Sequence, residues 1–122
     1  MIKMTFDGYD GITVPDARTI DVVKAFIAKH RLGENVEIIV SNHLLIDWLR
    51  VAINFGKISH EEVEFYFLDK DKNLTAIGVN KVGTLHPWPK GFCDHTEEAL
   101  CRLLTPLAEL AKWYDVTMFD NL

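Results

Sequence analysis

A short run of β-branched residues, Val36–Val40, is the feature that most constrains how this chain can fold. Polar residues bound the run on both sides, and such runs are typical of buried strands in α/β sheets. Ser41 and Asn42 follow at once and are good helix caps. The apolar residues then recur at helical spacing as far as Phe55, where Gly56 is a stop signal. A buried strand that leads directly into a helix predicts helices packed on a sheet.

The segments around this run extend the pattern. Four of them predict regular elements, in the order strand Ile2–Phe6, helix 17–30, strand Val63–Leu68 and strand Leu74–Val79. The polar link between the last two strands predicts a hairpin. Ser59 and Glu62 match a capping box for at most one helical turn before it. The first strand, helix and second strand predict parallel pairing.

The last third of the chain predicts mainly helix. Segment 83–91 contains two prolines and predicts irregular structure, and the apolar residues after it recur at helical spacing. Pro106 lies within that spacing, so we expect a kink or two helices there, and residues 116–119 predict a short strand. We therefore predict one α/β domain, residues 1–122. It has a small mixed sheet with a β-α-β-α start, a β-hairpin and a C-terminal helical region packed on the sheet.

Charge and composition restrict the environment and the partners. The 122 residues carry a formal net charge of -5, which repels phosphate backbones, so we expect no nucleic-acid binding. The two cysteines are too few for a disulfide framework and suit a reducing compartment. No apolar run approaches the roughly 20 residues that cross a bilayer, and none near the N-terminus suits a signal peptide. We expect a soluble, cytoplasmic protein without membrane contact.

The second predicted helix is unusually apolar. Only Asp47, Arg50 and Asn54 form a polar stripe on it. A helix of this composition is either nearly buried or lies against a partner. The side chains that we predict for an interface or a pocket are Leu45, Trp48, Ile53, Phe65, Trp88 and Phe92.

The ligand spacings do not favour a metal site. Residues 69–73 begin like a calcium loop, but Leu74 stands where that loop needs glycine and Asn80 where it needs glutamate. A hairpin turn is therefore the favoured interpretation of this segment. No standard zinc spacing occurs among His86, Cys93, His95 and Cys101. We expect no bound metal.

Motifs for nucleophilic catalysis and phosphate binding are also missing from these 122 residues. Ser41 and His43, like Cys93 and His95, are two residues apart, a spacing that does not assemble a nucleophile and its base. No Gly-x-x-x-x-Gly-Lys-Ser/Thr string occurs, so no loop of this chain would grip a triphosphate. We therefore expect no cofactor and no nucleotide hydrolysis by this chain alone.

Three motifs occur in order between residues 36 and 104. They are Ile-Ile-Val-Ser-Asn-His-Leu-Leu at 38–45, Gly-Lys-Ile-Ser-His-Glu-Glu-Val at 56–63 and Trp-Pro-Lys-Gly-Phe-Cys-Asp at 88–94. In this order they resemble the C-terminal part of AAA/ABC-type ATPases related to the overcoming-lysogenization-defect nucleases. The most similar members end in a domain with a Trp-Pro-x-Gly-Phe-Phe-Asp motif. Such proteins are common near mobile elements and phage-defence genes.

The resemblance implies the fold of half an ATPase and not its reaction. The family's P-loop has no counterpart in these residues. If segment 2–15 is a degenerate Walker B strand, Asp7 stands at the magnesium-binding position and Gly8 replaces the catalytic glutamate. The family's switch histidine corresponds to His43 in one alignment, and Val40 takes its position in another. Without the phosphate cradle and the glutamate, ATP hydrolysis has neither its positioning nor its base.

Three functions follow as hypotheses. The first is a non-catalytic protein that associates with a second copy of itself or with a larger ATPase of a mobile-element or phage-defence system. The second is a metal-dependent phosphoryl-transfer or hydrolytic enzyme, whose site near the carboxyl ends of the strands would be formed by Asp7, Asp10 and His43. The third is a small-molecule binding module with a pocket lined by Trp88, Phe92 and Trp113.

Overall fold

The computed structural model of the chain describes residues 1–86. They form a five-stranded mixed sheet with two helices packed on it, which confirms the predicted α/β fold. The strands are β1 (Ile2–Phe6), β2 (Val36–Val40), β3 (Val63–Leu68), β4 (Leu74–Val79) and β5 (Leu85–His86), and the helices are α1 (Thr19–Arg31) and α2 (His43–Asn54). The predicted C-terminal helical region, the break at Pro106 and the strand at 116–119 lie outside the described residues.

The strands lie in the order β2-β1-β3-β4-β5. The central strand β1 is parallel to β2, as the first β-α-β unit predicts, and it is also parallel to β3, whereas β4 is antiparallel to β3, as the hairpin predicts. The prediction of irregular structure from residue 83 is wrong for Leu85–His86, which pair antiparallel with the end of β4. Two residues are too few to show a strand period in a sequence.

One face of the sheet is buried under both helices. Ile2, Met4 and Phe6 of β1 lie on this face, in register with the buried residues of β2 and β3. The two helices pack against each other, and both contact β1. Their contributions to the core include Val23 and Ile27 of α1 and Leu45, Leu49 and Ala52 of α2.

The other side of the sheet, here called the open face, has no helix on it among residues 1–86. Its side chains come from alternate positions of four strands: Lys3, Thr5, Glu37, Ile39, Glu64, Tyr66, Leu68, Leu74 and Ala76. Ile39 is 48% exposed and Leu74 is 55% exposed. The prediction that Val36–Val40 is a buried strand is therefore wrong for one of its two faces. The reason is that β2 is an edge strand and both helices pack on the same face.

Local signals explain where the helices begin and end. The side chain of Asn42 accepts a hydrogen bond from the backbone N–H of Leu44 at 2.9 Å, and Gly56 ends α2 with a φ of 74°. The capping box at Ser59 is only half formed. Ser59 accepts from the N–H of Glu61, whereas the Glu62 carboxylate lies 2.9 Å from Nε2 of His30 instead of returning to Ser59.

Neither α1 nor α2 combines the length and the apolar character that a membrane-crossing helix needs, and they are the only α-helices among residues 1–86.

Candidate functional site

The carboxyl ends of β1, β2 and β3 share one edge of the sheet, where sites gather in α/β folds. Asp7 follows β1 directly and is almost fully buried. Its Oδ1 accepts the backbone N–H groups of Tyr9 at 2.9 Å and of Asp10 at 3.2 Å. The Tyr9 amide, helped by that of Asp10 and by the Lys72 ammonium, holds the pKa of Asp7 below its usual range although burial opposes the shift. Asp7 therefore stabilises the turn after β1.

The other two predicted catalytic residues have charged partners of their own. Asp10 is exposed, and its Oδ2 accepts a hydrogen bond from Nζ of Lys72 at 2.8 Å. His43 begins α2, with its Nε2 4.0 Å from Oδ2 of Asp47 on the same helix. In the described part of the chain, no three histidine, cysteine or acidic side chains are placed to hold a metal ion. An enzyme site formed by Asp7, Asp10 and His43 stays a prediction.

The loop between β1 and α1 returns along the outer edge of β2. The N–H of Ile12 donates to the carbonyl of Ile39 at 2.9 Å, and the N–H of Ser41 donates to the carbonyl of Ile12 at 3.0 Å. Gly11 lies so close to β2 that a Cβ there would stand 2.3 Å from the carbonyl carbon of Val40. The loop therefore covers the carboxyl half of an otherwise exposed strand edge.

Two turns of the same design follow β3 and β4. Asp69 opens the first turn and Asn80 opens the second. Each uses one side-chain oxygen to accept the N–H groups of the residues two and four positions later, at 2.9 Å for Asp69 and 3.0 Å for Asn80. The fourth residue of each turn has a positive φ, 66° for Lys72 and 89° for Gly83. The oxygens of segment 69–73 thus support a hairpin turn, as predicted.

The strain at Lys72 leads to a stability prediction. A residue other than glycine in the left-handed region costs about 1–2 kcal/mol of folding free energy. Replacing it with glycine removes this cost, but the greater backbone freedom of glycine in the unfolded chain offsets about 0.5–1 kcal/mol of the gain. Lys72→Gly and Lys72→Ala both remove the ion pair with Asp10, so they differ mainly in this strain. We expect the glycine variant to be the more stable by about 0.5–1 kcal/mol in urea unfolding. An alanine variant of equal or higher stability would show that the turn is not strained.

The polar stripe of α2 holds the turn between β4 and β5. Arg50 is 2% exposed, and its Nε donates to the carbonyl of Gly83 at 2.8 Å. Its Nη1 donates to Oδ1 of Asp47 at 3.1 Å, and its buried Nη2 has no hydrogen-bond partner within segment 1–86. Asn54 donates to the carbonyl of Val82 at 3.1 Å. Burial raises the pKa of Asp47, and the Arg50 guanidinium offsets part of that shift.

The side chains predicted for an interface or a pocket lie mostly in the core. Leu45, Ile53 and Phe65 are buried, and Trp48 is partly buried against the same core. Of the two interpretations of the apolar helix, near-complete burial is the one that its described surroundings support. Trp88 and Phe92 lie outside the described residues, as does Trp113, so the predicted small-molecule pocket stays a prediction.

The open face divides into a charged half and an apolar half. At the amino ends of the parallel strands, Nζ of Lys3 lies 3.7 Å from Glu37 and 4.9 Å from the ring centre of Tyr66, whose hydroxyl donates to Glu64 at 3.0 Å. At their carboxyl ends the face is mainly apolar, with the side chains of Ile39, Tyr66, Leu68, Leu74 and Ala76. The alternation of the strand sequences predicts which side chains share this face. It does not predict that the helices of segment 1–86 leave the face uncovered.

Comparison of the chain with protein-family models, with curated proteins and with solved structures gives no match. The ATPase resemblance of the three motifs is therefore an expectation from the sequence.

Proposed function

We propose that this chain is a non-catalytic association module that binds a second copy of itself through the open face. The observation that carries the proposal is the exposure of the apolar side chains of Ile39 and Leu74 on the open face. Parallel sheets normally have both faces covered, whereas the helices of residues 1–86 cover only one. Apolar side chains clustered on an exposed surface are typical of protein interfaces.

The surroundings of the predicted catalytic residues support a non-catalytic role. Oδ1 of Asp7 accepts two turn amides, and Asp10 pairs with Lys72. The 122 residues contain no P-loop string that would position a phosphate. A larger ATPase of a mobile-element or phage-defence system is the second candidate partner, and that candidate rests on the three sequence motifs.

The proposed surface differs from the one that the sequence favours. The sequence points to the apolar sides of α2, but the side chains there that contact the sheet and α1 are already buried within one chain. The open face has unburied apolar groups instead. Association would remove these groups from water, at roughly 25 cal/mol per Å² of apolar surface.

Self-association can be tested with two leucine variants of the full chain. We expect the average mass in analytical ultracentrifugation to rise from 14.0 kDa toward twice that value as the concentration increases. Leu74→Glu places a charge on the apolar half of the open face, so it should raise the dimer Kd by about tenfold or more. Leu32 is 80% exposed at the end of α1 and is not a residue of the open face, so Leu32→Glu is the matched control and should leave the Kd unchanged. A wild-type chain that stays monomeric at about 1 mM, as expected if the predicted C-terminal helical region covers the open face instead, would contradict the proposal, and so would equal effects of both variants.

A further inference from the structure

The open face has a pattern that is complementary to itself. This inference rests on the proposed function and specifies how two copies would meet. Across the strands, one row of side chains reads Glu37, Lys3, Glu64, and the next row toward the carboxyl ends reads Ile39, Thr5, Tyr66, Ala76. The first row alternates in charge, and the second has a large aliphatic side chain at one end and a small one at the other.

The sheet itself limits where a twofold axis can lie. The four longer strands are β2, β1, β3 and β4, and their midpoint falls between β1 and β3. Among the axes parallel to the strands, the one at that midpoint superposes all four strands of one copy on all four of the other. It places β1 over the partner's β3 and β2 over the partner's β4. Stacked sheets lie about 10 Å apart with strands within about 30° of each other, which suits this arrangement.

In that arrangement, residues of one row meet residues of the same row. We propose that Lys3 of each copy lies opposite Glu64 of the other, which gives two symmetric ion pairs, and that Ile39 lies opposite Ala76. The contact is isologous, since residue i meets residue j and j meets i. Lys3 and Glu64 of each copy then face opposite charges, and Ile39 faces a small apolar side chain, whereas Glu37 keeps its ion pair with Lys3 of its own chain.

The other orientations are less complementary. An axis perpendicular to the strands through the row of Tyr66 places Glu64 opposite Leu68, and burying a carboxylate against a leucine is costly. An axis along β1 itself places Lys3 over the partner's Lys3, and like charges repel. An axis between β2 and β1 pairs Lys3 with Glu37 but leaves β3 and β4 without strands opposite them.

The size of the surface sets the expected strength. Four strands at about 4.8 Å spacing and five residues at about 3.3 Å rise outline roughly 300 Å². Stable complexes bury about 800 Å² on each partner, so this dimer should be weak, with a Kd in the micromolar range or above.

Mixing two charge-reversed chains tests the proposed pairing directly. Lys3→Glu alone would set two carboxylates against each other at each cross-subunit pair, and Glu64→Lys alone would set two ammonium groups against each other, so each homodimer should weaken. In the mixed dimer both cross-subunit pairs regain opposite charges, although each chain still has its unfavourable neighbour within its own sheet. We expect the mixture to associate at least tenfold more tightly than either variant alone, by sedimentation of one labelled chain. This gain should decrease as salt is added.

Two control mixtures make the result specific. Glu61 is exposed in the short turn before β3 and lies off the open face, so Lys3→Glu mixed with Glu61→Lys restores only one of the two cross-subunit pairs and should associate no more tightly than Glu61→Lys alone. If Lys3→Glu associates more tightly with Glu37→Lys than either variant does alone, the twofold axis lies between β2 and β1 instead. That result would overturn this inference and leave the proposed function intact. A wild-type chain that does not associate would overturn both.

A cross-linking experiment tests the same pairing with the wild-type chain, so its result does not depend on whether a variant folds. An equimolar mixture of ¹⁴N- and ¹⁵N-labelled wild-type chains, treated with a zero-length carbodiimide, should yield Lys3–Glu64 peptide pairs in which one peptide is labelled and the other is not. Such pairs form only between chains, whereas links within one chain carry a single isotope. If every recovered Lys3–Glu64 pair carries a single isotope while the protein sediments as a dimer, the proposed pairing is wrong.

Discussion

Gly11→Ala is expected to lower the free energy of unfolding by about 3 kcal/mol or more. The added Cβ would stand 2.3 Å from the carbonyl carbon of Val40 and 2.5 Å from the backbone nitrogen of Ser41. Both atoms belong to the backbone, so no side-chain rotation can relieve the overlap. The loop after β1 would have to move away from β2 and lose the two hydrogen bonds that Ile12 makes with Ile39 and Ser41. Urea unfolding followed by circular dichroism measures the loss.

Gly8→Ala is the matched control for this prediction. Gly8 lies in the same turn, but a Cβ there would meet only the ring of Phe6, at an ordinary contact distance of 3.7 Å. We expect the stability of this variant to lie within about 0.5 kcal/mol of the wild type. Equal stability of the two variants would show that the loop does not approach β2 as closely as described.

Local sequence patterns predict most of the described elements, but they do not predict the role of Gly11. Periodicity gives the bounds of β1 through β4 and the type of both helices, because alternation and helical spacing reflect burial within one element. The same patterns interpret segment 7–11 as a turn rich in flexible residues. They do not show that Gly11 is needed for contact with a strand some thirty positions later, because that contact depends on the register of β1 with β2.

The candidate site follows the same division. The alternation in the sequence of β2 predicts that Glu37 and Ile39 lie on the same face of the sheet. It does not predict on which face the helices pack. The sequence also places Asp47, Arg50 and Asn54 on one stripe of α2. It gives no signal that this stripe meets the turn at Val82 and Gly83 rather than water. Contacts between elements far apart in sequence decide both questions.

Arg50→Met should destabilise the protein strongly, because it removes a buried cation of α2 from its partners. Methionine fills a similar volume, but it removes the hydrogen bond to Gly83 and leaves the Asp47 carboxylate without its nearest cation. Breaking a buried pair by removing one partner costs about 3–5 kcal/mol, and the partial exposure of Asp47 places the expected loss near 3 kcal/mol at neutral pH. Asn54→Ala removes an uncharged contact with the same turn, so it should cost only about 1 kcal/mol, with no dependence on pH.

The pH dependence of the Arg50→Met loss identifies its cause. Burial already raises the pKa of Asp47 above the ordinary value of 3.8, and losing the guanidinium raises it further. A carboxyl group with a raised folded-state pKa favours the folded protein below its unfolded pKa, and this contribution is lost as the pH rises through the folded value. The variant should therefore approach wild-type stability in acid and fall further behind as the pH rises. In Asp47→Asn/Arg50→Met that slope should disappear. A loss that is constant across pH would assign the whole effect to the Gly83 contact.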